Sequence, residues 1–251
     1  RRMNERPAVL ILGGTAEAVA LAEKASARFD VTYSLAGRTR APALPGDVAT
    51  RSGGFGGAAA LARWIEQNDI HAVIDATHPF ADRIAQHAAA ACTRTGIPRL
   101  KLVRPAWERQ DGDDWRMAEN AADAARLVPE TGRRAFLSIG RQELDAFAGL
   151  AETEPVVRSI DPPEDGDAVP GATYIAGRGP FTVADETAVL RRHAIDVVVS
   201  RNAGGDSTYA KIAAARALGL PVVMIARPQS PPGECAETVA DALDWLDRAA
   251  G

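Results

Sequence analysis

The feature that most constrains this chain is an end-to-end alternation of short apolar runs with stretches of helical periodicity. Apolar runs at residues 9–12, 31–36, 72–76 and 100–103, with a weaker one at 47–51, are spaced by helical stretches after residue 15 and over about 58–67 and 81–95. Runs this short, separated by helices, pair in parallel, because only a crossover helix returns the chain to the same edge in the same direction. Residues 105–116 break the periodicity with a Pro, a Gly and a cluster of acids, and a domain linker is expected there. Beyond it, helices are expected near 119–127, 143–150, 183–193, 208–218 and 237–249, with strands at 135–139, 156–160, 174–176, 197–200 and 222–225. The fold class expected is therefore α/β: two doubly wound, Rossmann-like parallel-sheet domains, residues 1–110 and 111–251, with a cleft between them. No sequence repeat is strong enough to make the halves duplicates.

Composition narrows the function. Hydrophobic residues make up 46% and charged residues 25%, and no apolar run approaches the roughly 18 residues that a bilayer crossing needs, so no membrane association is expected. Basic and acidic residues number 29 and 33, a net charge of −4, which lacks the basic surplus of a nonspecific nucleic-acid binder. Cys92 and Cys235 have no second cysteine or histidine at ligand spacing, so neither a disulfide framework nor a metal site is expected. The basic opening residues 1–7 lead to only four clearly apolar residues before two glycines, too short for a signal peptide. A reducing cytoplasm is the expected location. Only Lys24, Lys101 and Lys211 are lysines; arginine elsewhere reflects genome composition rather than function.

In a parallel α/β sheet, ligands bind beyond the carboxyl ends of the strands, and the informative loops all follow strands. Gly13-Gly14-Thr15 after the first strand could hold a pyrophosphate on backbone N–H groups and the helix dipole. It departs from G-x-G-x-x-G, with Thr15 and Ala18 in the second and third glycine positions, and a plain strand-to-helix turn would use the same glycines. After the second strand, where an NAD site places an acid for the ribose, the chain has Ala36-Gly37-Arg38-Thr39-Arg40. An arginine fork matches a 2′-phosphate, so Arg38, with Thr39 beside it, favours NADP over NAD; a solvated arginine pair is the alternative. Gly53-Gly54-Phe55-Gly56-Gly57 would let the backbone approach a ligand closely while Phe55 covers it. Thr77-His78-Pro79-Phe80-Ala81 follows the fourth strand, where the nicotinamide end of a dinucleotide would lie. His78 is read as a ligand contact, a proton donor or a helix cap.

The second half carries Gly140-Arg141, Gly177-Arg178-Gly179 and Ser200-Arg201-Asn202-Ala203-Gly204-Gly205, each directly after a strand, with Tyr209 and Lys211 opening the next helix. Three arginines at equivalent strand ends suggest an anionic ligand. His71, His87 and His193 fall within or at the ends of expected elements and are read as structural.

The combination of Gly13-Gly14-Thr15, Ala36-Gly37-Arg38, Gly53-Gly54-Phe55, Thr77-His78-Pro79-Phe80-Ala81 and Ser200-Arg201-Asn202-x-Gly204-Gly205 with Lys211 resembles the precorrin-6A reductase family of cobalamin biosynthesis, over nearly the whole chain. The resemblance implies an NADPH-dependent oxidoreductase that reduces the C18=C19 double bond of the precorrin macrocycle to give precorrin-6B. It implies a cofactor site on Gly13, Gly14, Thr15, Arg38, Thr39, Gly53, Gly54, Phe55, Gly56, Thr77, His78 and Pro79. A tetrapyrrole site would then draw on Arg141, Gly177, Arg178, Ser200, Arg201, Asn202, Gly204, Gly205, Tyr209 and Lys211. Transient contact with neighbouring pathway enzymes is a further expectation.

The residues agree with that chemistry on their own. A precorrin bears several carboxylates, so its site should present arginine, lysine and helix N-termini around a large cavity. Hydride transfer is the cofactor's chemistry, and the protein must align donor and acceptor carbons and exclude water. His78, Tyr209 or water could then give a proton. Two other readings share the loops: a noncatalytic NADP(H) sensor, and a two-domain glycosyltransferase, which would leave the arginine pair after the second strand unexplained. Short-chain dehydrogenase chemistry is disfavoured, since Tyr209 and Lys211 are only two apart and no Tyr-x-x-x-Lys occurs.

Overall fold

The computed structural model describes residues 6–37, 43–150, 152–160, 169–177 and 179–250. Arg38, Thr39 and Arg178 lie outside the described residues. The chain divides into two units, Arg1–Pro105 with Gln229–Gly251, and Ala106–Pro228.

The first unit opens with β1 (Ala8–Leu12), α1 (Ala16–Ala25), β2 (Asp30–Leu35), β3 (Ala49–Ser52), α2 (Ala58–Gln67), β4 (Ile70–Asp75), α3 (Asp82–Thr95) and β5 (Arg99–Leu102). The second comprises β6 (Trp115–Ala118), α4 (Ala121–Thr131), β7 (Ala135–Ser138), a 3-10 turn over Arg141–Phe147, β8 (Val156–Ser159), β9 (Thr173–Ala176), α5 (Val183–Arg192), β10 (Val197–Arg201), α6 (Ala210–Ala217) and β11 (Val222–Ile225). The chain closes with β12 (Glu234–Ala236) and α7 (Val239–Ala249).

Each unit is built on one six-stranded parallel sheet, ordered β3-β2-β1-β4-β5-β12 in the first and β9-β8-β7-β10-β11-β6 in the second. The central strands read as unbroken apolar runs because helices cover both faces. Along β1, Val9 and Ile11 join the cluster of α1 and α7 with Leu21 and Trp245. Leu10 and Leu12 join the opposite cluster, with Leu61 of α2 and Cys92 of α3. In the second unit, Phe136, Val198 and Met224 pack with Leu190 of α5 and Ile212 of α6.

The expected division at residues 110 and 111 needs correcting at the far end. β12 pairs in parallel with β5, and α7 buries Ala242, Trp245 and Leu246 in the same cluster as α1, so the last segment completes the first sheet. Reciprocally, β6, which follows β5 in the chain, pairs with β11 of the second sheet. The two units have therefore exchanged their sixth strands. The helix expected at 143–150 is the 3-10 turn, ending where Phe147 enters the core.

Each sheet also reverses its direction of winding once, between β1 and β4 in the first unit and between β7 and β10 in the second. The loops leaving those four strands border the crevice where a doubly wound sheet binds its ligand.

Candidate active site

In the first unit the two switch-point loops are tied together by Thr15. Its hydroxyl donates to the Ala76 carbonyl at 2.9 Å and accepts from the Ala18 N–H at 3.1 Å, capping α1. With the Ala18 N–H taken, the first turn leaves those of Ala16 and Glu17 for an outside acceptor. The Glu17 carboxylate is held by Arg104 at 3.0 Å, which offsets its repulsion of an anion at this helix end.

The two glycines before Thr15 have different reasons. A side-chain carbon on Gly13 would come within 2.2 Å of the buried Tyr33 ring, so Gly13 is required by packing. Gly14 has φ +120 and nothing within 4 Å of where a side chain would start, so it is required by its backbone and leaves open space beside the turn. Its N–H donates to the Tyr33 hydroxyl at 3.1 Å, and burial raises the Tyr33 phenol above its ordinary value.

Arg51, at the end of β3, organises the glycine-rich loop and was not among the expected site residues. Its guanidinium donates to Ser34 Oγ at 2.7 Å and to the Gly53 carbonyl at 3.0 Å, and lies 3.8 Å above the Phe55 ring. Phe55 meets Trp64 edge-on at 5.5 Å. The aromatic is thus held by its own unit, while Gly53 and Gly54 keep open space where a side chain would stand.

After β4, His78 Nδ1 accepts from the Phe80 N–H at 3.2 Å, which leaves Nε2 as the nitrogen carrying the proton. Ala81, with no side-chain bond, is the N-cap of α3, so His78 does not cap that helix. Beneath the loop, buried Lys101 pairs with Asp75 at 3.0 Å. Neither was among the expected site residues.

In the second unit, Glu143 ties the switch-point loops. Its Oε2 accepts from the Gly140 N–H at 3.0 Å and from Arg201 Nη1 at 3.1 Å. Burial lowers Arg201 from its ordinary value, with Glu143 opposing. Lys211 is almost wholly buried, donates to the Thr208 carbonyl at 2.7 Å and sits 5.2 Å from the Trp107 ring centre. Burial pushes its ammonium down to about 7, with Glu186 raising it and Arg158 and Arg201 lowering it further. Arg158 and Glu186 form a buried two-pronged pair at 2.6 and 2.8 Å, with Phe136 and Phe181 against the guanidinium.

Several expected contacts are already engaged. The Asn202 side chain is taken up by the Trp107 backbone, and the Gly205 carbonyl accepts from the Trp107 indole at 2.7 Å. The Tyr209 hydroxyl accepts from Arg216, itself paired with Asp113. Ser200 is buried and donates to the Arg201 carbonyl at 3.2 Å. Gly177 stands close to Phe181, Gly204 has φ +68, and Arg141 is exposed.

A cavity of about 810 Å³ lies at the opposite, amino end of the first sheet, among Arg6, Asp30, Asp47, Asp69 and His71. It is remote from the strand ends where the chemistry-bearing loops gather. Among the described residues no cluster of three His, Cys, Asp or Glu could hold a metal, and no helix is long and apolar enough to cross a membrane.

Comparison with known proteins places the arrangement. Residues 8–247 match the family described as precorrin-6x reductase CbiJ/CobK. A precorrin-6A reductase of Rhodococcus erythropolis is 51% identical, over 95% of this chain and 96% of the relative. One of a Sinorhizobium species is 44% identical, over 96% and 95%. A solved structure of CobK precorrin-6A reductase superposes with a TM-score of 0.91 at 40% identity, covering 98% of each chain.

Proposed function

The chain belongs to the precorrin-6x reductase family, and from that premise we propose that it reduces the C18=C19 double bond of precorrin-6A with NADPH, giving precorrin-6B. The observation that carries the reading is full-length identity of 51% to a relative bearing that activity in its name. Free Cys92 and Cys235 suit the reducing cytoplasm, where NADPH is maintained.

The first unit fits a dinucleotide on physical grounds. A switch point, a capped helix N-terminus and open space at Gly14 and Gly53 form a donor-lined cradle for a pyrophosphate. Bound NADPH would supply hydride from C4 of its nicotinamide. Arg38 would take the 2′-phosphate, the Ala16 and Glu17 N–H groups beside the Gly13-Gly14-Thr15 turn the pyrophosphate, since those of Gly13 and Gly14 are engaged by Ser34 and Tyr33, and the loop from Thr77 to Pro79 the nicotinamide, with the polar groups of Thr77 itself held by Asp75 and Lys101. His78 would position that ring, the orientation of its imidazole being fixed by the Phe80 N–H on Nδ1.

The second unit would bind the tetrapyrrole carboxylates through Arg141, Arg178, Arg201 and Lys211. Lys211, held close to neutrality by burial, would take up a proton as the polyanion approaches. Anaerobic incubation of the protein with NADPH and precorrin-6A, followed at the absorbance of both, tests the reading. The expected result is stoichiometric loss of NADPH absorbance with conversion of the tetrapyrrole. NADPH binding with no turnover would leave a sensor instead.

A further inference from the structure

β4 and β5 end side by side on a buried ion pair that no cofactor or substrate contact above uses. Asp75 stands opposite Lys101 in the parallel register. Both side chains are out of water, at 0% and 3% exposure, with Nζ 3.0 Å from Asp75 Oδ1. The same ammonium reaches the Thr77 carbonyl and the Thr77 hydroxyl, each at 3.3 Å. Thr77 in turn donates its N–H and O–H to Asp75 Oδ1, at 3.1 and 2.6 Å. Every polar group of Thr77 is therefore fastened to one charge or the other.

Asp75 Oδ2 is buried with no hydrogen-bond partner among the described residues. A buried pair with an unsatisfied oxygen is a poor source of stability, since well-packed apolar residues in its place are often neutral or better. An apolar pair could not dictate where a polar backbone goes. Here the knot dictates the exit from β4, and the segment that follows, from Thr77 through His78 to Phe80, is stiffened by Pro79 and by the bond from Phe80 N–H to His78 Nδ1.

We propose that Lys101 is a positioning residue for the nicotinamide half of the cofactor, acting through Asp75 and Thr77 on the His78 loop. The proposal rests on the reading that NADPH binds the first unit. It predicts a split between the two halves of the dinucleotide, because the adenosine end would be held at β2, which β1 separates from β4 and the knot.

The test measures binding of NADPH and of 2′,5′-ADP, which lacks the nicotinamide, to the wild-type chain, to Lys101→Met, and to Lys101→Met combined with Asp75→Leu. The double variant leaves no unpaired buried charge and guards against misfolding of the single one. NADPH binding should weaken about tenfold in both variants, with hydride transfer in a single turnover about 10- to 100-fold slower. Affinity for 2′,5′-ADP should stay within twofold of wild type. A double variant of wild-type thermal stability that still shows the split supports positioning. Equal weakening of both ligands, or recovery of NADPH affinity in the double variant, overturns it. A wild-type chain that binds neither ligand overturns the cofactor reading and the proposal with it.

Discussion

The side-chain amide of Asn202 grips the backbone of Trp107 in both directions, accepting from its N–H at 2.7 Å and donating to its carbonyl at 2.9 Å. The loop after β10 is thereby fastened to the segment that enters the second unit, and Arg227 adds a bond to the Asn202 carbonyl at 2.8 Å. Asn202→Ala removes both amide bonds and strands two backbone groups, at a cost of about 2 to 4 kcal/mol. With about 2 to 4 °C per kcal/mol for a chain of this size, the loss should appear in thermal unfolding as a Tm lower by roughly 4 to 16 °C. A normal Tm with a raised KM for the tetrapyrrole would make Asn202 a ligand contact instead.

Lys211 sets a pH dependence of stability. Its folded value of about 7 lies below its ordinary 10.5, so between those limits the unfolded chain binds more protons and stability rises with pH. Below about pH 7 both states are charged and the burial penalty is fully felt. Lys211→Met should be the more stable protein near pH 6, by an amount on the order of a few kcal/mol, and should lose the rise above neutrality. Urea unfolding of both proteins across the window checks this; a constant difference between them would mean that Lys211 stays charged.

Arg38→Ala should weaken NADPH by roughly 10- to 150-fold, the loss of a charge-assisted contact of about 1.5 to 3 kcal/mol. NADH should bind almost unchanged. Titration with each nucleotide decides it, and equal losses for both would remove Arg38 from the 2′ position.

His78→Ala should lower NADPH affinity several-fold and slow hydride transfer moderately, with no recovery at lower pH. Stability should change little, since Ala81 rather than His78 caps α3. A variant with normal NADPH affinity and a rate about a thousandfold lower would make His78 the proton donor.

The elements legible in the sequence were those buried on both faces, such as β1, β10 and β11, whose apolar runs leave no other reading. β6 and β12 were not legible. Trp115-Arg116-Met117-Ala118 and Glu234-Cys235-Ala236 lie at sheet edges with several side chains in water, so neither carries an apolar run, and their partners lie far along the chain. The glycine turn and its Thr15 cap were local and readable. Ties such as Glu143 with Arg201, 58 positions apart, leave no periodic trace. The scarcity of lysine, read in the sequence as genome composition, carried more than that: two of the three lysines prove to be buried, where a bulkier, permanently charged guanidinium would not substitute.

The crossing of β6 and β12 governs the order in which this protein can be finished as it is made. When the ribosome has delivered β1 to β5, the β5 edge still lacks its neighbour, and that neighbour, Glu234–Ala236, is made only after the whole of the second unit. An open edge is a template for wrong pairing, and distant partners slow folding. The second sheet, by contrast, has its edge strand β6 before any other. Unit 106–228 can therefore close first, whereas the other unit must wait until β12 has been made, and a nascent chain stalled short of β12 would hold a folded second unit with an unfinished first.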